Sequence, residues 1–185
     1  MERLKVFISS TQKDLQQERS SAEEIIADLG HDCLRAETLD SPGTSSEDVC
    51  RAMSSNCDIY IGIYGGRYGF KIPKLDISAT EMEYREARNN NPGKVFIYIK
   101  ESEEIDSEQK RFLEEVQDFS NGYFRHEKFK NSNQLAEQIR RDLITWTTRK
   151  VRQALLKEIE AKALRDKVAH LSRVMELYGI PGDLR

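Results

Sequence analysis

The chain has 185 residues, with 29 Lys and Arg against 32 Asp and Glu, so its formal net charge is −3. That balance excludes a global basic field that would draw the protein to nucleic acid or to an anionic membrane surface, and no apolar run approaches the length of a membrane span. At 38 % hydrophobic and 33 % charged residues, the length accommodates one sizeable core plus an appendage rich in exposed helix.

The opening residues run straight into the apolar, β-branched segment LKVFISS (4–10), which reads as a buried strand and leaves no room for a signal peptide. In the segment that follows, Leu15, Ala22, Ile25, Ile26 and Leu29 share one helical face, and Gly30 ends the helix. DCLRAETL (32–39) is a weaker second strand and SPGTSSED (41–48) a loop. Ser45 then stands as the N-cap of a helix that buries Val49, Cys50 and Met53. CDIYIGIYGG is the clearest strand, RYGFKIPKLD (67–76) a long loop, and SATEMEYREARNN a helix. KVFIYIK, DSEQKRFLEEVQDF (106–119) and YFRHEKFK (123–130) read as strand, helix and last strand.

Strands alternating with helices imply parallel pairing through right-handed crossovers. The nearly unbroken apolar runs VFI, IYIGIY and VFIYI are what strands covered on both faces require. The reading is an α/β fold: a flavodoxin-like three-layer sandwich over residues 1–131, its five-stranded parallel sheet ordered 2-1-3-4-5. A helical extension occupies 132–185. Leu135, Ile139, Leu143 and Trp146 give it a closing face; Leu164, Val168, Leu171 and Met175 then recur at heptad-like spacing, fitting a folded-back hairpin or a pairing with a second chain.

Cys33, Cys50 and Cys57 are odd in number and lack C-x-x-C spacing, so they read as reduced thiols of a cytoplasmic protein. His31, His126 and His170 are scattered away from them, and no metal site is expected. In the basic run RKVRQALLKEIEAKALRDK, Glu158, Glu160 and Asp166 alternate with the cations, which makes a solvated helix face and not a nucleic-acid surface.

In an open parallel sheet ligands bind at the carboxyl ends of the strands, where strand order reverses. In the expected order that point lies between the first and third strands, where SSTQKDL (9–15) and YGGRYGF (64–70) converge. Ser9, Ser10 and Thr11 are placed at a helix N-terminus, which favours an anion, although Ser10 or Thr11 capping the helix accounts for them without any ligand. Gly65, Gly66 and Gly69 permit positive φ and close backbone approach, with Arg67 and Tyr68 among them. The glycines open a loop rather than a helix, so they form neither a dinucleotide fingerprint nor a P-loop.

Glu81 and Glu83 each sit three residues after a possible cap, Ser78 or Thr80, and one frame excludes the other. With Ser78 as the cap, Glu81 is consumed structurally and Glu83 stands in the first turn beside the glycine loop, where a carboxylate could act on a sugar carbon. Glu86 reads as solvated. Glu18 and Arg19 flank the apolar face of the first helix and call for pairing, perforce either an ion pair, with Arg67 as one partner for Glu18, or a pocket floor.

VFISSTQKDLQQER (6–19), CDIYIGIYGGRYGF (57–70) and SATEMEYREA (78–87) together resemble the DUF4062 family, whose three signatures they reproduce in order over about residues 4–100. The resemblance implies a TIR-like fold, related also to the nucleoside deoxyribosyltransferases, and a place at the N-terminus of larger proteins. Thr80, Glu83 and Ala87 match the spacing around the deoxyribosyltransferase catalytic Glu, while Tyr84 and Arg85 stand where that pattern has other residues.

By this resemblance Glu83 is the catalytic candidate. Ser9, Ser10, Thr11, Gly65, Gly66, Arg67 and Tyr68 are ligand-binding candidates, and Glu18, Arg19 and Glu81 are structural. The implied function is a nucleotide-related signalling or defence module that cleaves the N-glycosidic bond of NAD or a nucleoside, with no resident cofactor. The alternative is a non-catalytic interaction module that self-associates through its C-terminal helix.

Overall fold

The computed structural model describes residues 3–35, 45–118, 120, 122–123 and 127–179. The end of the expected second strand, the first half of the loop after it, the middle of the expected fifth strand and the last six residues lie outside this set.

The chain divides into two units, Met1–Arg140 and Arg141–Arg185. Along it run β1 (Lys5–Ser10), α1 (Gln16–Asp28), β2 (Asp32–Leu34), α2 (Ser46–Asn56), β3 (Ile59–Tyr64), β4 (Lys71–Ile72), β5 (Ile77–Ser78) and α3 (Ala79–Asn90). A short 3-10 turn, Pro92–Lys94, leads into β6 (Val95–Ile99), α4 (Ser107–Val116) and α5 (Ser132–Leu177).

Four strands pair in parallel in the order β2-β1-β3-β6. The expected sheet had five. Among the described residues its fifth member is represented by a single parallel bridge between Lys100 and Phe129, in which Phe129 N donates to Ile99 O at 3.0 Å and Glu101 N to Phe129 O at 2.8 Å. Phe129 is fully buried at that edge, but the charged residues around it offer no alternating apolar face for a longer strand.

The second correction concerns the loop after β3. Residues 71–78 hold a small antiparallel hairpin, β4 with β5, which was read from sequence as irregular loop. Its turn places Asp76 at φ 55°, a left-handed conformation that Asp tolerates, and Asp76 pairs with Lys71 at 2.7 Å.

Helix boundaries follow local chemistry. Ser45 Oγ accepts from Asp48 N at 3.1 Å and caps α2. Gly30, at φ 78°, closes α1: Gly30 N donates to Ala27 O and His31 N to Ile26 O, the paired bonds of a Schellman stop.

All six residues of β3 are buried, as are Val6–Ser10 of β1, so both sheet faces are covered. On one of them an aromatic group joins the strands to the helices. Tyr64 and Tyr84 both pack on Phe112, with ring centroids 5.0 and 5.5 Å away, and Phe7 lies 6.0 Å from Tyr60. The first turns of α5 belong to the same unit, with Leu135 and Ile139 fully buried and Arg140 paired with Asp28 at 3.1 Å. In the second unit Val151, Leu155, Ile159, Leu164, Val168 and Leu171 are all exposed. No described helix is long and apolar enough to cross a membrane.

Tyr60 and Tyr64 are buried, with their hydroxyls 3.0 Å apart. Burial pushes both far above the ordinary tyrosine range; the nearby Glu83 charge adds to Tyr60, and Tyr60 itself to Tyr64. Unfolded tyrosine ionises near pH 10 while these resist, so their contribution is complete below that pH and is lost as the pH climbs above it. Denaturant unfolding followed from pH 8 to 11 is expected to show stability falling above about pH 10, and falling less steeply in the Tyr60→Phe/Tyr64→Phe variant.

Candidate functional site

In a parallel sheet every crossover returns the chain to the same starting edge, so the carboxyl ends of all the strands gather on the other. With β2 and β6 on opposite flanks of the β1–β3 pair, the reversal of strand order falls between β1 and β3. A cavity of about 560 Å³ opens there, walled by Ser10–Asp14 after β1, by Arg67, Gly69 and Phe70 after β3, by Ala79, Thr80 and Glu83 of α3, by Arg19 of α1 and by Cys50 of α2.

Ser9 and Ser10 are not at a helix N-terminus, contrary to the sequence reading. They end β1, a turn follows, and α1 begins at Gln16 with no side-chain cap. Because strand side chains alternate, the two hydroxyls leave opposite faces of the sheet. Ser10 Oγ accepts from Arg19 Nη1 at 2.9 Å and fixes that guanidinium in the cavity wall. Ser9 Oγ donates to Glu83 Oε2 at 2.5 Å. Glu83 is only 7 % exposed, and what exposure it has is on the cavity.

Ser78 is the cap of α3, its Oγ accepting from Glu81 N at 3.1 Å. This frame separates the two glutamates. Glu81 is buried, accepts a hydrogen bond from the Tyr68 hydroxyl, and lies 2.5 Å from Arg85 Nη2, which also reaches Glu115 at 3.2 Å. Glu83, about 200° further round the helix, faces the cavity instead. Glu86, expected to be solvated, is half-buried and paired with Arg51.

Residues 5–144 match the family model described as a domain of unknown function, DUF4062. The chain belongs to the DUF4062 family. Among solved structures, this DUF4062 domain is similar to a chain of the crystal structure of the RPS4 and RRS1 TIR domain heterodimer, at 16 % identity and a TM-score of 0.49, covering 78 % of this chain and 98 % of that one. No residue role is taken from so distant a likeness. None of the curated proteins compared with the chain matches it.

The DUF4062 signature residues divide between cavity and scaffold. Ser10, Thr11, Arg67 and Glu83 line the cavity, and Ser9 stands behind Glu83. Gly65 and Gly66 do not line it. A Cβ on Gly65 would meet Asp14 and Leu15, and one on Gly66 would lie 2.1 Å from Glu104 O, so both glycines admit close packing of neighbouring segments. Tyr68 is likewise buried on Glu81 rather than presented to a ligand. Glu18 pairs with Lys100 at 2.6 Å, not with the exposed Arg67, and only Arg19 of that pair of residues reaches the cavity.

Gly69, grouped in the sequence with Gly65 and Gly66, does line the cavity, and Lys13, Asp14, Phe70 and Cys50, which the sequence did not single out for the site, contribute to the wall as well. Gly69 had a signal in the glycine spacing: its φ is +86°, and a Cβ there would stand 2.8 Å from Thr11 Cγ2, so only glycine lets the two loops meet at this rim. Cys50 had none, since its neighbours come from other elements. Thr11 Oγ1 and Asp14 Oδ1 are shielded polar atoms without a hydrogen-bond partner among the described residues.

The contrast between the two acids is measurable. Glu81→Ala leaves the buried Tyr68 hydroxyl without its acceptor and is expected to cost about 1–3 kcal/mol. Glu83→Gln keeps an oxygen for Ser9 and is expected to change stability by under about 1 kcal/mol. Calorimetric unfolding of the two variants checks both values.

Proposed function

We propose that the cavity binds a nucleotide or nucleoside and that Glu83 acts at its sugar, cleaving the N-glycosidic bond of NAD or a related compound. One observation carries the reading: a buried carboxylate on the cavity wall, with one oxygen held by Ser9 Oγ. In such a reaction the C1′–N bond breaks and its electron pair leaves with the base. A carboxylate at C1′ stabilises the oxocarbenium-like state or captures it as an ester, and water then completes the transfer. A pyridinium base departs neutral, so that step needs no proton donor.

Two further features support a polar, phosphate-bearing ligand. Thr11 and Asp14 put polar side chains into the wall, and Lys13 and Arg67 bring cations to the rim for phosphate. A signalling or defence role, in which the module consumes or senses a nucleotide, is the biological setting this chemistry fits.

A second reading rests on the second unit, where a run of large apolar side chains lies in water. There the domain works by self-association, with or without turnover. The two readings are compatible, and each has its own measurement. Chromatography of NAD or nucleoside incubations is expected to show base release by the wild type and a loss of roughly 100-fold or more in Glu83→Gln; an unchanged rate in that variant refutes the role given to Glu83. Light scattering is expected to give a mass above that of one chain.

A further inference from the structure

We propose that residues 161–178 pair with the same segment of a second copy as a parallel, in-register, two-stranded coiled coil. This rests on the self-association reading above and specifies its geometry. The segment lies in the long helix α5, described without a break from Ser132 to Leu177, with Tyr178 in the turn that follows. Ala161, Leu164, Val168, Leu171, Met175 and Tyr178 recur at alternating steps of three and four, which puts them on one stripe of the helix. Leu164 is 64 % exposed, Val168 55 % and Leu171 58 %, so the centre of the stripe has no cover within the described chain. A helix standing in water derives little stability from its backbone alone, and its apolar stripe needs a partner.

Two features choose the partner and its direction. Leu164 and Leu171 take the d positions and Val168 the central a position, and a β-branched residue at a with Leu at d favours two parallel strands. The flanking charges agree. In a parallel pair the residue before one a position faces the residue after the following d position of the other chain, which brings Glu160 against Arg165 of the second copy, twice by symmetry. Overlapping the same segments antiparallel about their midpoint instead brings Lys167 beside Val174 and Arg165 beside Ser172, with no opposite charges matched. Other exposed apolar residues of the helix, Val151, Leu155 and Ile159 among them, lie elsewhere on it: Leu155 and Leu164 are nine residues apart, about half a turn round, so they are not part of this seam.

The test uses the full chain. Sedimentation or light scattering at micromolar to tens of micromolar protein is expected to show a dimer that Leu164→Asp/Leu171→Asp converts to a monomer, any loss of helical signal by circular dichroism being confined to the share of the seam segment. Leu171→Cys is expected to yield a disulfide-linked dimer on mild oxidation well above the wild-type background, and Arg173→Cys, on the outer face, is not. Glu160→Arg alone is expected to weaken dimerisation about tenfold or more at low salt, and adding Arg165→Glu to the same chain to restore it. A dimer in which Leu171→Cys does not cross-link and the charge reversals have no effect overturns the parallel seam while leaving self-association standing. A single-chain mass at every concentration overturns both.

Discussion

A carboxylate that is almost wholly out of water has to be held, and the hydrogen bond from Ser9 Oγ to Glu83 Oε2 joins the tip of β1 to the first turns of α3 across 74 residues of sequence. Ser9 can reach it because β1 is a central strand, paired on both sides, whose last residues project to the carboxyl edge of the sheet. Glu83 can reach it because Ser78 starts α3 close to that edge. The buried tyrosine pair of β3 feels the same charge from below. Sheet order, helix start and site are therefore one constraint, and the cavity exists where the three meet.

Helix geometry gives neighbouring acids opposite roles. Glu81 and Glu83 belong to one turn of α3, yet the first points to Arg85 and Tyr68 and stabilises the scaffold, while the second is held by Ser9 in the cavity wall. The Tyr68–Glu81 contact also anchors the loop after β3. Tyr68 N donates to Asp106 Oδ2 at 2.9 Å and Gly66 O accepts from Asp106 N at 2.8 Å, so the same loop is tied to the start of α4. With these bonds made behind it, the loop turns Arg67, Gly69 and Phe70 toward the cavity. The stretch YGGRYGF thus divides between residues that build the scaffold and residues that line the cavity.

Much of this was legible in the residues. The strands β1, β3 and β6 are nearly continuous apolar runs, and such runs are recognisable because burial on both faces demands them. Ser45 and Ser78 were legible as caps because capping is local, a side-chain oxygen meeting an amide three residues on. The β4–β5 hairpin was not, since its two-residue strands carry too few positions for any periodicity to show. Nor was the single bridge at Phe129, because whether Phe129 extends a ladder or makes one bridge depends on what the edge of β6 offers it.

By itself the sequence determined the main helices and the strands β1, β3 and β6, their parallel sheet, the central place of its first and third strands, and the convergence of SSTQKDL with YGGRYGF. All of these follow from periodicity, capping and the rule that crossovers return to one edge. Tertiary structure alone decided which side chains look inward. It turned Ser9 to Glu83 and Ser10 to Arg19, withdrew Tyr68 and Gly66 into the scaffold, gave Glu18 to Lys100, and brought Cys50, Lys13 and Asp14 to a shared wall. The reason is physical. A buried charge or hydroxyl takes whichever partner the packing of distant segments brings within hydrogen-bond reach, and that distance is not encoded in local spacing.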